Sequence, residues 1–183
     1  IGASSVVIRY GKLTNFLPSL MLGKIFTMIF TVFFVSSLAL QNSDILLIGE
    51  APGANEDKQG VPFCGMSGKI LTELLNSVNL SREDIFITNT VLCRPEDNRN
   101  PKKDEIENCR ERLDQLIEVM QPKVIVTIGN FATERIIGKT GIKSIRGQMF
   151  DFRGITVVPV VHPASYLYSG RNPEMFAQMK SDF

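Results

Sequence analysis

The sequence predicts an α/β fold, a three-layer α/β/α sandwich around a mainly parallel four-stranded central sheet, and two observations lead there. After Asp44, short apolar runs alternate with segments of helical period. The polar residues that stand out, Gly49–Gly53, Asn89 and His162, each directly follow a predicted strand. Repeated β-α order gives parallel strands with helices on both faces, and open sheets of this kind bind ligands beyond the carboxyl ends of their strands. At 183 residues, 44% hydrophobic and 21% charged, the chain is long enough for one such domain with a buried core.

Ile45–Ile48 is apolar throughout and reads as a buried strand, and Lys69–Val78 sets Ile70, Leu71, Leu74, Leu75 and Val78 on one helical stripe. Ser81-Arg82-Glu83-Asp84 is a turn before a second strand, Ile85–Thr88. Asp104–Met120 carries Ile106, Cys109, Leu113, Leu116, Ile117 and Met120 at helical spacing, and Pro122 stops it before a third strand, Val124–Ile128. Asn130–Ile137 is a short helix, Thr156–Val161 a fourth strand, and Pro173 opens a last helix. Gly49, Gly53, Gly60 and Gly65 make the loop after the first strand permissive enough to wrap a small, flat ligand.

Residues 1–43 do not share this pattern, so the domain is placed at 44–183. Leu20–Leu40 is almost wholly apolar, and Ile25–Leu40 alone is sixteen residues without a charge, short of the roughly 20 that span a bilayer. Four readings stay open: a membrane anchor through residues 20–40, a secretory signal ending at Ser37-Leu38-Ala39, a buried strand or helix around Phe30–Phe34, or an aberrant upstream extension foreign to the domain. The net charge of +1 conceals an asymmetry, with sixteen acidic residues against ten basic over 44–134 and seven basic against three acidic over 135–183. The C-terminal part is the more suitable face for a polyanion. Three cysteines, Cys64, Cys93 and Cys109, form neither a CxxC pair nor an even disulfide framework, which favours a reducing compartment over secretion.

An ordered series of motifs carries a resemblance to a known family. Gly49-Glu50-Ala51-Pro52-Gly53, Glu56-Asp57, Pro62-Phe63, Thr88-Asn89, Cys93-Arg94-Pro95, Asn98-Arg99, Arg146-Gly147 and His162-Pro163-Ala164-Ser165 resemble the bacterial and archaeal family 4 uracil-DNA glycosylases, from about Asp44 to near the C-terminus. The resemblance implies a monofunctional, cytoplasmic and monomeric enzyme. Its substrate is uracil-containing DNA, and downstream base excision repair enzymes take up its abasic product. An enzyme acting on a base must extrude it into a close pocket, and here Ala51, Glu56, Phe63 and Asn89 are the implied uracil-binding residues. Phe63 offers a stacking face, or is an ordinary core aromatic. Asn89 can accept from N3–H and donate to O4, a pairing that cytosine would violate, or it makes a turn.

His162, the one histidine of the chain, and Glu50 are the implied catalytic pair. A lone histidine is often structural. In this motif it donates to the charge that forms on uracil O2. In the related family 1 enzymes an aspartate follows the position of Glu50, and Ala51 stands there instead. Glu50 then orients the hydrolytic water or offsets the charge of an oxocarbenium-like sugar, unless it is simply a solvated loop carboxylate. Glu56 is as readily a loop-stabilising residue. Ser165, Tyr166 and Leu167 occupy the segment that the resemblance takes into the duplex. Arg94, Arg99, Lys102, Lys103 and Arg171 meet phosphates or are solvated surface charges.

The resemblance also implies a [4Fe–4S] cluster on four cysteines. Cys93 and Cys109 match its second pair, whereas the first pair has no counterpart, because no cysteine precedes Cys64. Either the segment before Asp44 replaces the one that carries that pair, or the chain is a cluster-free variant in which Cys109 is a core thiol. The competing reading is a catalytically impaired nucleic-acid-binding relative with a replaced or membrane-inserting N-terminus.

Overall fold

Leu46, Leu47 and Ile48 are all buried because their strand runs through the middle of the sheet, where both faces are covered. The computed structural model describes residues 43–183, so the apolar stretch at 20–40 lies outside the described residues. In chain order the elements are β1 (Ile45–Gly49), α1 (Ala54–Gln59), α2 (Met66–Ser77), β2 (Ile85–Asn89), α3 (Lys103–Asn108), α4 (Arg110–Met120), β3 (Val124–Ile128), α5 (Gly129–Ile137), α6 (Ile142–Ile145), β4 (Phe150–Phe152), β5 (Ile155–Val160), α7 (Ala164–Tyr168) and α8 (Pro173–Asp182). Among the described residues, no helix is long and apolar enough to cross a membrane.

The strand order is β2-β1-β3-β5-β4. β1 lies parallel to β2 and β3, and β3 lies parallel to β5. These are the four strands read from the sequence, and the sheet has a fifth. β4 pairs antiparallel with β5 through Phe150↔Val157 and Phe152↔Ile155, across a turn in which Arg153 (φ 55°) and Gly154 (φ 82°) are both left-handed, as a two-residue hairpin requires. A three-residue strand holds too short an alternation to register as a period.

Period-two alternation sends β1 side chains to opposite layers. Leu46 and Ile48 join Leu113, Leu116 and Ile117 of α4 and Ala132 and Ile136 of α5. Leu47 joins Leu71 and Leu75 of α2 on the other face, together with Phe63. The helix expected over Asp104–Met120 is broken at Cys109 (φ −96°, ψ −2°), where the N–H of Cys109 bonds to Ile106 instead of continuing the α ladder. α3 buries no side chain fully, so only α4 carries the apolar stripe.

α2 sits close against the loop before it. A Cβ on Gly68 would collide with the backbone carbonyl of Phe63, so this helix position must be glycine for the loop to lie where it does. Gly68→Ala is expected to lower unfolding stability by about 1–3 kcal/mol, the range for an overpacked core, and equilibrium urea denaturation reads the change.

Candidate active site

The carboxyl ends of β1, β2 and β5 deliver the landmark residues to one edge of the sheet. Gly49 and Asn89 are register partners at the ends of β1 and β2, and His162 follows the end of β5 by two residues. Thr90 closes the two loops together, its N–H and its hydroxyl both donating to the Gly49 carbonyl at 2.8 and 2.9 Å. Between these ends lies a cavity of about 540 Å³, inside the roughly 300–1,000 Å³ typical of small-molecule sites. Glu50, Ala51, Glu56, Phe63, Asn89 and His162 line it, which brings the six predicted catalytic and uracil-binding residues together.

Asn89 is 2% exposed, and its Oδ1 is buried without a hydrogen-bond partner. Buried acceptors are rarely left in that state without a reason. The amide lies against Gly49 and the Phe63 ring, and a Cβ on Gly49 would strike Asn89 Oδ1 and stand 2.8 Å from two Phe63 ring carbons. Phe63 has φ 51°, a left-handed conformation that costs a bulky residue roughly 1–3 kcal/mol and persists only where its surroundings impose it. Arg82 supplies that restraint, donating from Nη2 to the Pro62 carbonyl at 2.7 Å and from Nη1 to the Phe63 carbonyl at 3.3 Å.

His162 faces the Phe63 ring at 6.0 Å between centroids, with 30° between the planes. Burial pulls its pKa down to about 4, against a smaller upward pull from the Glu56 carboxylate. The ring is therefore neutral at physiological pH. Its Nδ1 accepts the N–H of Ala164 at 3.1 Å, which places the single ring proton on Nε2 as a donor. Burial also pushes the Glu50 carboxyl above its ordinary value. Glu56 Oε1 accepts the N–H of Gly65 at 2.8 Å at the N-terminus of α2, so this carboxylate helps to cap a helix while it lines the wall.

A family model described as the uracil DNA glycosylase superfamily matches residues 36–183. The chain belongs to this superfamily. The type-4 uracil-DNA glycosylase of Sulfurisphaera tokodaii is 42% identical over 151 residues, covering 77% of this chain and 67% of that protein. The type-4 enzyme of Archaeoglobus fulgidus is 37% identical over 159 residues, covering 82% of this chain and 78% of its own length. That of Thermotoga maritima is 42% identical over 134 residues, covering 72% of this chain and 69% of its own length.

For a superfamily member of the iron–sulfur type, the thiols of this chain do not fit a four-thiolate cluster. The sequence has three cysteines against the four that such a cluster takes, with Cys93 exposed and Cys109 half-buried at the kink between α3 and α4. Cys64 belongs to the pocket loop, where burial and the Glu56 carboxylate push its thiol pKa up. Among the described residues, no group of three or more His, Cys, Asp or Glu side chains is gathered for a metal.

At the rim, the residues of the segment expected to meet DNA have different surroundings. Ser165 lines the cavity, but Tyr166 and Leu167 turn away from it into an apolar cluster with Ile70, Leu74 and Met179, where Tyr166 packs on Phe176 at 5.4 Å. The exposed aromatic at the mouth is Tyr168, 89% accessible. Of the basic candidates, Arg99 is engaged by both oxygens of Glu105 at 2.6 and 2.9 Å, and Arg94 donates to Asn98 at 2.8 Å. Arg82 and Ser67 were not foreseen. Arg82 lies in a turn with no motif around it, and only the three-dimensional path of the loop reveals its role.

The two perturbed groups shape stability with opposite signs. Between about 4 and its ordinary 6.5, the unfolded chain protonates His162 and the folded chain does not, so stability falls as pH drops through that window. For Glu50 the folded chain keeps a proton above the ordinary value of 4.5, so its contribution is lost as pH rises through the higher folded value. Glu50→Gln is therefore expected to be more stable than the parent at neutral pH, by chemical denaturation. The two should converge on acidification, and both should lose the His162 contribution as pH approaches about 4.

Proposed function

We propose that the chain is a monofunctional uracil-DNA glycosylase that extrudes deoxyuridine from DNA, hydrolyses its N-glycosidic bond and leaves an abasic site with the strand intact. The observation that carries this reading is the buried, partnerless Oδ1 of Asn89 beside the Phe63 ring. That acceptor calls for a ligand N–H, and uracil presents one at N3 next to an O4 that can take the Asn89 amide. Cytosine presents a lone pair at N3 and an amino group at C4, so both contacts become repulsive. Phe63 covers one face of the base, and its strained loop is fixed before the base arrives.

As the C1′–N1 bond breaks, its electron pair passes to the departing base and charge collects on O2 and N1. The Nε2–H of neutral His162 is the donor for O2, prearranged by the Ala164 N–H on its other nitrogen. The Glu50 carboxylate faces the developing positive charge on the sugar and takes a proton from the water whose oxygen bonds to C1′. Uracil leaves as an anion and is protonated afterwards, and the sugar keeps a hydroxyl at C1′. Ala51 brings no acid of its own. Among the described residues, no lysine lines the cavity, which favours hydrolysis over a Schiff-base and strand-cleavage route. Glu56 forms the wall near the base, and Ser165, with Tyr168, meets the DNA around the mouth.

Cys93 and Cys109 are the two positions that match cluster ligands of the resembled family, and no step above depends on them. The partners of this reading are uracil-containing DNA and the enzymes that process the abasic product, met by a monomer in the cytoplasm. The test is release of uracil from a single-stranded oligonucleotide with one deoxyuridine, followed by alkaline cleavage, with a thymine control. Cleavage at uracil alone is expected. Asn89→Ala and His162→Ala should each lower kcat by roughly 100- to 1,000-fold, the cost of losing one preorganised contact to developing charge, with folding unchanged by circular dichroism. Binding to DNA without any uracil release would instead support an impaired nucleic-acid-binding relative.

A further inference from the structure

The Asn89 side chain has no hydrogen bond of its own through Oδ1, so its aim is set by the backbone that carries it. That backbone lies at the end of an edge strand. Among the described residues β2 has β1 on one side only, and the outward-facing groups of such an edge strand lack a neighbouring strand. A side chain from another layer fills this gap. Arg112, in the first turn of α4, donates from Nη2 to the Asn89 carbonyl at 2.6 Å and from Nη1 to the Thr88 hydroxyl at 3.0 Å. The two bonds leave one planar guanidinium and land on consecutive residues, which fixes the peptide in rotation as well as in position.

We propose that Arg112 is a positioning residue for base recognition, acting through Asn89. This rests on the glycosylase reading above. Arg112 does not line the cavity, and the substrate need not touch it. Its effect is to hold the Asn89 peptide so that Oδ1 and the amide meet N3–H and O4 of uracil together. The inner side of the same peptide is already fixed, because Thr90 is bonded to Gly49. Arg112 supplies the outer constraint, and with it a link between α4, which starts beside Cys109, and the base pocket. Geometry of this kind matters because displacements on the ångström scale at a recognition group carry large rate costs.

A hydrogen bond from a charged donor to this carbonyl is lost in Arg112→Met, a substitution that keeps much of the apolar stem. The expected result is a fall in kcat/KM for uracil release of roughly tenfold to a hundredfold. Inhibition by free uracil should weaken by a similar factor, while affinity for an abasic-site oligonucleotide stays at the parental value. Arg112→Lys, which restores one donor, should recover part of the loss. The deciding measurement is a double-mutant cycle with Asn89→Ala. If Arg112 acts through Asn89, the Arg112→Met loss largely disappears in the Asn89→Ala background. If the two losses multiply, or if Arg112→Met lowers uracil release and abasic-site binding alike in proportion to unfolded protein, Arg112 is only structural and the inference is overturned. A parent protein that is folded and releases no uracil overturns the glycosylase reading, and this inference with it, which is distinct from an active parent with multiplicative losses.

Discussion

The missing side chain at Gly49 is the constraint on which the pocket depends. β1 ends there, in register with Asn89, and the space that a Cβ would fill is taken by the Asn89 amide and the edge of the Phe63 ring. A flat ring and a flat amide can then lie side by side above a strand end with no atom between them. Everything else in the site adjusts to that contact. Phe63 accepts a left-handed backbone, Arg82 holds the two carbonyls of its loop, and Gly68 lets the loop settle on α2. The strain is local, and two packed layers of core support it.

The electrostatics follow from the same burial. A neutral histidine with its proton held on Nε2 is a better partner for charge that appears only during reaction than an imidazolium that would meet a neutral base from the start. The depressed His162 pKa and the elevated Glu50 pKa share a cause, desolvation at the floor of the cavity. In the proposed reaction they serve as a donor that is always ready and an acceptor with enhanced proton affinity.

Much of this was legible from residue order. The four parallel strands have strong apolar runs, and Gly49, Asn89 and His162 each follow one directly, so topology alone brings them to one edge. Motif order supplied the likeness that the superfamily match supports. What stayed hidden depends on direction and not on position. Tyr166, Leu167 and Tyr168 are neighbours in sequence, and only the turn of α7 decides that the first two face α2 and α8 while the third faces solvent. Arg82 and Arg112 act over 19 to 24 residues of separation, beyond the reach of any local pattern. The break at Cys109 escaped because the apolar spacing continues through it.

The sheet's two margins also bear on how the protein behaves at high concentration. Open strand edges invite pairing with other chains. At one margin the Arg112 guanidinium occupies the Asn89 end of β2. At the other, β4 offers only three residues, with Asp151 exposed between two phenylalanines whose rings carry Lys139 at 5.6 Å and Arg153 at 4.8 Å. Among the described residues, each border therefore carries a charged side chain beside part of its strand. This hinders the pairing of strands from other chains along the described borders of the sheet.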